Sequence, residues 1–230
     1  MLNKMNDTPF KPLSGKKSKI CSTKTKSSSF SPLSQEVFEV AIGTVLGDAS
    51  VQTQNNGKTY RLKFSQSSKH KDYLFDLHEI FRDWVLSPPH FNEKRNMWSF
   101  QTKADQEFKK IATLFFDLDP NGSKKKQIMP CIEKYITPRV LAYWFMDDGG
   151  KACYNKDFPR KGLVFNTQGF SEDHVIFLVN ILKNKYQLNC WHKPNKKGFI
   201  IVISGNHYNK WRGLVDPYLH PSMVYKLPLI

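Results

Sequence analysis

Asp48 and Asp148 sit near the ends of two short apolar segments, AIGTVLGDA at 41–49 and LAYWFMDDG at 141–149, and lie 100 residues apart. A lysine follows each acid at the same interval: Lys126 after the first, Lys226 after the second. Two acids and two amines repeated in step imply one structural unit used twice in the chain. Like charges held close together are costly unless a cation lies between them. Carboxylate oxygens suit Mg²⁺, which keeps several waters and accepts phosphate oxygens. Such a centre activates water and stabilises the oxygen leaving a phosphodiester, while a lysine offsets charge developing on the attacked phosphate or orders the water. Lys226 stands between Tyr225 and Leu227-Pro228, an ordered setting. Lys126 ends a run of three lysines, so Lys125 is an alternative for the same task. Asp147 adjoins Asp148, but the matching position in the first copy is Gly47, which gives Asp147 a supporting or helix-ending role.

These acids need elements that bring them together. The segment 37–47 reads as a helix apolar on nearly every side, hence buried between layers. Gly43 and Gly47 leave one flank without bulk, so a second backbone can approach. A second helix runs from Pro138 through Met146 and is ended by Asp147-Asp148-Gly149-Gly150. If the two helices pack side by side, both carboxylates emerge at one end of the seam.

The same order follows each helix. In the first half a hairpin turns at Asn55-Asn56-Gly57, and its return strand, Thr59 to Gln66, alternates with Tyr60, Leu62 and Phe64 on one face. A helix over 71–86 stops at Ser87-Pro88-Pro89. A second hairpin turns near 92–96, and a helix at about 105–116 closes the half. In the second half, strands at 151–156 and 162–168 precede a helix capped by Ser171. A further hairpin turns at 195–198, a short helix carries Tyr208 and Trp211, and PSMVYKLP at 221–228 ends the unit. The order is helix–hairpin–helix–hairpin–helix, twice. It predicts an α+β fold of two pseudo-symmetric units, the first at 36–118 and the second at 134–230, joined by a linker at 119–133.

Lys and Arg number 35 against 20 Asp and Glu, a net charge of +15. That surplus favours a polyanionic partner, because neutralising phosphates releases condensed counterions. The aromatic content of 13% belongs to a folded protein. The four cysteines, Cys21, Cys131, Cys153 and Cys190, lack paired spacing, which speaks against structural zinc and a disulfide framework. No apolar run approaches the ~18–20 residues that cross a bilayer. Residues 1–35 hold seven lysines and one acid, Asp7, and read as a flexible basic arm. The arm either adds nonspecific attraction to nucleic acid or is a terminus without a role. Its lack of arginine (the first is Arg61) speaks mildly against a transit peptide.

A two-stranded ribbon fits the major groove, where Arg, Lys, Gln, Asn, Ser and Thr contact base edges. Arg61, Lys63, Ser99, Gln101, Lys103, Asn166 and Gln168 are such residues on expected strands, and Lys151 and Lys193 add basic contacts. Gln66 and Gln168, after Phe64 and Phe165, hold similar places near the acids, where each can contact DNA or orient water.

The chain resembles the LAGLIDADG homing endonucleases in their single-chain, two-motif form. The resemblance covers about 36–228 and rests on AIGTVLGDA, LAYWFMDDGGK, VLSPP at 85–89, NTQ at 166–168, QLNC at 187–190 and YKLP at 225–228. The first motif departs from the family pattern at Ala41, Leu46 and Ala49, but neither acid is lost. The resemblance implies two αββαββα units whose antiparallel sheets form a saddle over DNA. It implies Asp48 and Asp148 as metal ligands, with Lys126 and Lys226 completing the catalytic set. It also implies cleavage of both strands of a long asymmetric duplex with Mg²⁺ (Mn²⁺ as substitute), short 3′ overhangs, a monomer without an obligate protein partner, and an organellar home. An RNA-splicing maturase of the same family is the alternative. No splice-junction pattern marks an intein.

Overall fold

The computed structural model describes residues 32–116, 126–152 and 161–228. Helix α1 spans Gln35–Leu46, started by Ser34, whose hydroxyl accepts from the Val37 N–H at 3.2 Å. Strands β1 (Ser50–Gln52) and β2 (Arg61–Ser67) follow, with Asn56 and Gly57 between them at φ 54° and 78°. These left-handed angles are what an Asn-Asn-Gly turn supplies. Helix α2 (Lys71–Ile80) is shorter than the expected 71–86; a 3-10 turn at Arg82–Trp84 continues it and buries Trp84. Strands β3 (His90–Asn92) and β4 (Met97–Gln101) and helix α3 (Lys109–Phe115) complete the first lobe.

The second lobe repeats this order. A 3-10 segment at Pro130–Tyr135 leads into α4 (Pro138–Asp148), where Thr137 accepts from the Val140 N–H and Pro138 takes the first turn. Then come β5 (Gly149–Lys151), β6 (Leu163–Phe165), α5 (Glu172–Tyr186), β7 (Cys190–Asn195), β8 (Gly198–Ile203), α6 (Tyr208–Val215) and a closing 3-10 turn at Pro221–Lys226. The two antiparallel sheets have the same topology, β1-β2-β4-β3 and β5-β6-β8-β7.

Several expectations shift by a few residues. The second hairpin of the first lobe turns through Glu93–Arg95 with Asn96 left-handed, as placed. Of the strand expected at 151–156 only Lys151 and Ala152 are described, with β5 beginning directly after Asp148 and 153–160 outside the described residues; the strand expected at 162–168 is shorter, β6 ending at Phe165. Ser171 stands at the start of α5 without capping its backbone, its hydroxyl facing His174 Nδ1 at 3.0 Å instead. The arm expected at 1–35 falls outside the described residues except for 32–35. Lys125 and the first part of the linker expected at 119–133, residues 119–125, also lie outside them, while Ile128 and Ile132 in its described part are buried in the core.

The seam between α1 and α4 runs through the core, the helices packed in register so that positions 39, 43 and 47 face 139, 143 and 147. Glu39 meets Arg139 at 3.0 Å near one end. A Cβ on Gly43 would stand 2.7 Å from the Tyr143 Cβ, and one on Gly47 only 2.4 Å from the Asp147 Cβ. Glycine at these two positions is therefore a condition of the close approach. Val40, Ile42, Val45, Leu141, Trp144 and Phe145 are buried around the seam, each contributing about 1.5–3 kcal/mol by leaving water. Outside it, Phe64 stacks on Phe100 in the first lobe, and Phe165 packs against Trp144, Phe145 and Trp211 in the second. No described helix is long and apolar enough to cross a membrane.

Candidate active site and nucleic-acid interface

The seam delivers its two C-terminal tips to one place, but the tips differ. Helix α1 stops at Leu46 because Gly47 adopts φ −93° and ψ −123°, leaving Asp48 exposed just beyond the helix. Helix α4 stays helical through Asp148. Asp147 therefore lies against Gly47, and its carboxylate accepts the Asp48 backbone N–H at 3.3 Å. A side chain at position 47 would fill the space that Asp147 uses. Asp147 retains some exposed surface but is densely surrounded by protein. Burial first, then the Asp48 charge, pushes its pKa well above the usual carboxylate range. The Tyr73 hydroxyl is buried without a partner at bonding distance. Burial and then the Asp147 charge raise its pKa strongly.

Asp148 is half-buried, and its pKa is pushed up to about 7 by burial and then by Asp48, against the pull of Lys126 and Lys226. Lys126 Nζ lies 3.5 Å from the Gly47 carbonyl, above the rings of Phe115 and Phe170. Burial lowers its pKa to about 8 despite the three aspartates. Lys226 Nζ donates to the Asp147 carbonyl at 2.6 Å and to that of Met146. Burial lowers its pKa too. Each lysine thus reaches the residue just before its lobe's acid, across the same 79-residue separation. The structure brings together Asp48, Asp147, Asp148, Lys126 and Lys226.

The donor chemistry fits a divalent cation. Among the described residues no group of three or more His, Cys, Asp or Glu forms a ready-made metal cage. What the tips offer is one carboxylate from each lobe, with the Asp148 pKa raised by burial and then by the Asp48 charge. A hard cation that keeps waters and takes phosphate oxygens needs no more than one or two protein carboxylates.

Gln66 is a correction to the expected DNA contacts. It is buried, and its amide nitrogen donates to Asp48 Oδ2 at 3.0 Å and Asp147 Oδ1 at 3.1 Å. The two-residue period of β2 carries it inward with Leu62 and Phe64, and that parity was the signal available in the sequence. Gln168 is not its counterpart. Thr167 holds that place, two residues past Phe165 as Gln66 is two past Phe64, and its hydroxyl donates to the Phe199 carbonyl at 2.7 Å. Asn166 and Gln168 lie beyond the end of β6, not on it. Asn166 is exposed and donates through Nδ2 to the Asp148 carbonyl at 3.0 Å, and Gln168 Nε2 stands 3.5 Å from Asn166 Oδ1.

Other expected contacts lie on the open faces of the sheets. Lys63 is paired with Ser50 and Gln101, and Ser65 with Ser99, all on the face away from the core. Arg61 shares that face and donates to Gln52 Oε1 at 3.3 Å. Lys151 ends β5, and Lys193 is exposed on β7. Lys103 lies past β4, folded back over the Trp84 ring with Nζ on the Asp83 carbonyl at 3.3 Å. Sequence reasoning gave no place to His70 and Tyr225. His70 Nδ1 lies 3.1 Å from Gln66 Oε1, and its Nε2 lies 2.8 Å from the Tyr225 hydroxyl.

Comparison with known proteins agrees with this geometry. Residues 38–211 match the LAGLIDADG DNA endonuclease family. A probable intron-encoded endonuclease 1 of Wickerhamomyces canadensis is 39% identical over 203 residues, 85% of each chain. The cytochrome b mRNA maturase bI2 of Saccharomyces cerevisiae is 29% identical over 89% of this chain, which spans half of that protein. Among solved structures, the homing endonuclease I-WcaI bound to its DNA recognition sequence superimposes with a TM-score of 0.77 at 38% identity, covering 87% of this chain and 89% of that one. This chain belongs to the LAGLIDADG DNA endonuclease family.

Proposed function

We propose that this chain is a site-specific homing endonuclease, a monomer that hydrolyses both strands of a long asymmetric DNA duplex and leaves short 3′ overhangs. The observation that carries the proposal is the arrival of one acid and one lysine from each lobe at the same end of the α1–α4 seam. Its two nonidentical sheets suit a target without palindromic symmetry, and the net charge of +15 suits a phosphate backbone.

Asp48 and Asp148 hold the divalent cation, Mg²⁺ with Mn²⁺ as substitute. When bound, it activates water and stabilises the departing 3′ oxygen. Lys126 and Lys226 place a positive charge beside each acid, offsetting charge that builds on the attacked phosphate. With a pKa near 8, Lys126 also sits close to neutrality, so it can hold or pass a proton at Nζ with little cost. Gln66 keeps Asp48 and Asp147 oriented. Lys63, Arg61, Ser99 and Gln101 read the major groove from the first sheet; Lys151, Asn166, Gln168 and Lys193 make contacts from the second lobe, and Lys103 lies at the edge. An organellar intron as genetic home is supported by relatives named as intron-encoded endonucleases and cytochrome b maturases.

Those maturase relatives also favour a second reading, an RNA-splicing cofactor without cleavage. Retention of both acids and both lysines supports the nuclease, since splicing has no need of all four. Incubation with Mg²⁺ and a randomised duplex library, with sequencing of the cut ends, tests both. Cleavage at a defined asymmetric site, abolished in Asp48→Asn and Asp148→Asn with DNA affinity nearly intact, is the expected result. No cut ends, or loss of binding in both variants, refutes it.

A further inference from the structure

The two acid tips are alike in their lysines and unlike in what holds them. On the Asp48 side a hydrogen-bonded chain runs from the acids through Gln66 and His70 to Tyr225. Tyr225 belongs to the Pro221–Lys226 turn of the other lobe. It immediately precedes Lys226, whose amine returns to the Asp147 carbonyl. The chain therefore closes into a ring: Asp147, Gln66, His70, Tyr225, Lys226 and back to Asp147.

Donor and acceptor chemistry orients the side chains of this ring. The Gln66 amide turns its nitrogen to Asp48 and Asp147, whose carboxylate oxygens accept from it. Its oxygen, which only accepts, then faces His70. The imidazole carries its proton on Nδ1 to donate there, and in the neutral ring Nε2 accepts from the Tyr225 hydroxyl. Burial and the nearby Lys226 charge lower the His70 pKa and favour that form. An unrestrained Gln66 amide gains nothing from one orientation over the other except through the acids themselves. His70 presses the choice from behind, and the half-exposed Tyr225 presses on His70. The second lobe is built otherwise. Thr167 takes the place of Gln66 but donates to Phe199, and Ser171, four residues further on as His70 is from Gln66, faces His174.

We propose that His70 and Tyr225 are positioning residues: they orient Gln66, and through it Asp48 and Asp147, tying the Lys226 turn of one lobe to the acid of the other. This rests on the endonuclease reading, in which Asp48 is a metal ligand. Because the ring touches Asp48 and Asp147 and has no counterpart at Thr167, the two nicks depend on it unequally.

The test resolves the two nicks in single-turnover cleavage of the duplex selected by the wild-type protein. His70→Leu is expected to slow one nick about tenfold relative to the other, the rate equivalent of one lost hydrogen bond. Tyr225→Phe, which removes a single exposed oxygen and leaves folding intact, slows the same nick by a smaller factor. His70→Asn, whose side-chain amide can donate in place of Nδ1, recovers most of the loss. DNA affinity in Ca²⁺ and thermal stability stay at wild-type values in Tyr225→Phe and His70→Asn, which a merely structural role would not predict. Independently of cleavage, ¹⁵N-histidine spectra of the metal-free protein show His70 as the Nδ1–H tautomer, with its Nε2 signal shifted in Tyr225→Phe. Wild-type rates in His70→Leu and Tyr225→Phe, equal slowing of both nicks, or an Nε2–H tautomer would overturn the proposal. A wild-type protein that cuts no duplex would refute the endonuclease reading instead, and the spectra would still decide whether the ring exists.

Discussion

The first and second lobes share a strand order and a seam, yet they meet their surroundings differently. In the first, the acid lies beyond its helix, steadied by a buried glutamine, and the open sheet face is polar: Ser50, Gln52, Arg61, Lys63, Ser65, Ser99 and Gln101. In the second, the acid is the last residue of its helix, and the open face of the sheet pairs Gly150 with Val164, Val164 with Val202, and Val202 with Trp191. Duplication of a backbone thus leaves the chemistry of each copy free to diverge. Topology sets where acids and faces go, while a handful of side chains decides what each lobe does with them.

The largest expected effects lie at the seam, where the lobes are forced into contact. Gly47→Ala places a Cβ 2.4 Å from that of Asp147 and is expected to destabilise the protein by about 3 kcal/mol, the upper range of overpacking. Asp147→Gly makes the second tip like the first, and the double variant should regain most of the loss in a double-mutant cycle by denaturant unfolding. Additive losses would mean that the two residues do not share the space.

Slightly smaller effects separate the lysines. Lys126→Met and Lys226→Met each remove one buried amine beside one acid, and each should slow one nick preferentially, by about 10²-fold, with opposite strands affected in the two variants. Equal slowing of both strands by either variant would make the lysines members of one shared set instead of one per lobe.

Asp148 gives the second tip a pH response. Asp148 keeps its proton to about pH 7 in the native state, while its ordinary value is 3.8. Between those values the native protein binds more protons than the unfolded chain, so stability of the metal-free protein falls as pH rises through that window. Asp148→Asn removes this contribution and should gain stability over wild type as pH rises from 4 to 7, by up to about 4 kcal/mol at neutrality. Divalent cations should stabilise the wild type more above pH 7 than below it. Thermal unfolding across this range checks both. A variant parallel to wild type at every pH would place the Asp148 proton elsewhere.

Much of this was readable from the chain. Acids repeated at 100 residues and helices apolar on all sides announce the seam, because burial and register are both written in local spacing. Glycines at 43 and 47 announce its closeness for the same reason. The termini of β5 and β6 were not readable, since strand ends depend on partners that sequence alternation does not name. Gln66 follows the parity of Leu62 and Phe64, but a polar residue at the end of a strand invites an outward assignment. The His70–Tyr225 contact spans 155 positions and joins two lobes. No periodicity encodes such a pair; it exists only once the seam has brought the lobes together.

The smallest effect is the most selective test of the two sheet faces. Polar side chains hydrogen-bond to base edges, whereas apolar side chains contact the thymine methyl. Val164 and Ile200 are half-buried on the outer face of the second sheet, with Val202 buried beside its partners Val164 and Trp191, Trp191 43% exposed and Lys193 at the rim. Replacing thymine by uracil deletes that methyl and leaves every hydrogen bond of the base pair in place. Uracil substitution in the half-site under the second sheet should weaken binding by about 0.8 kcal/mol or less for each contacted methyl, several-fold over the half-site, with a smaller change when the other half is substituted. A Val164→Ser/Val202→Ser variant should lose this sensitivity, while Lys63→Ala should leave it intact and reduce the salt slope by about 1. Equal uracil sensitivity in the two halves would show that the apolar face stays clear of the bases, and that the lobes differ at their acid tips alone.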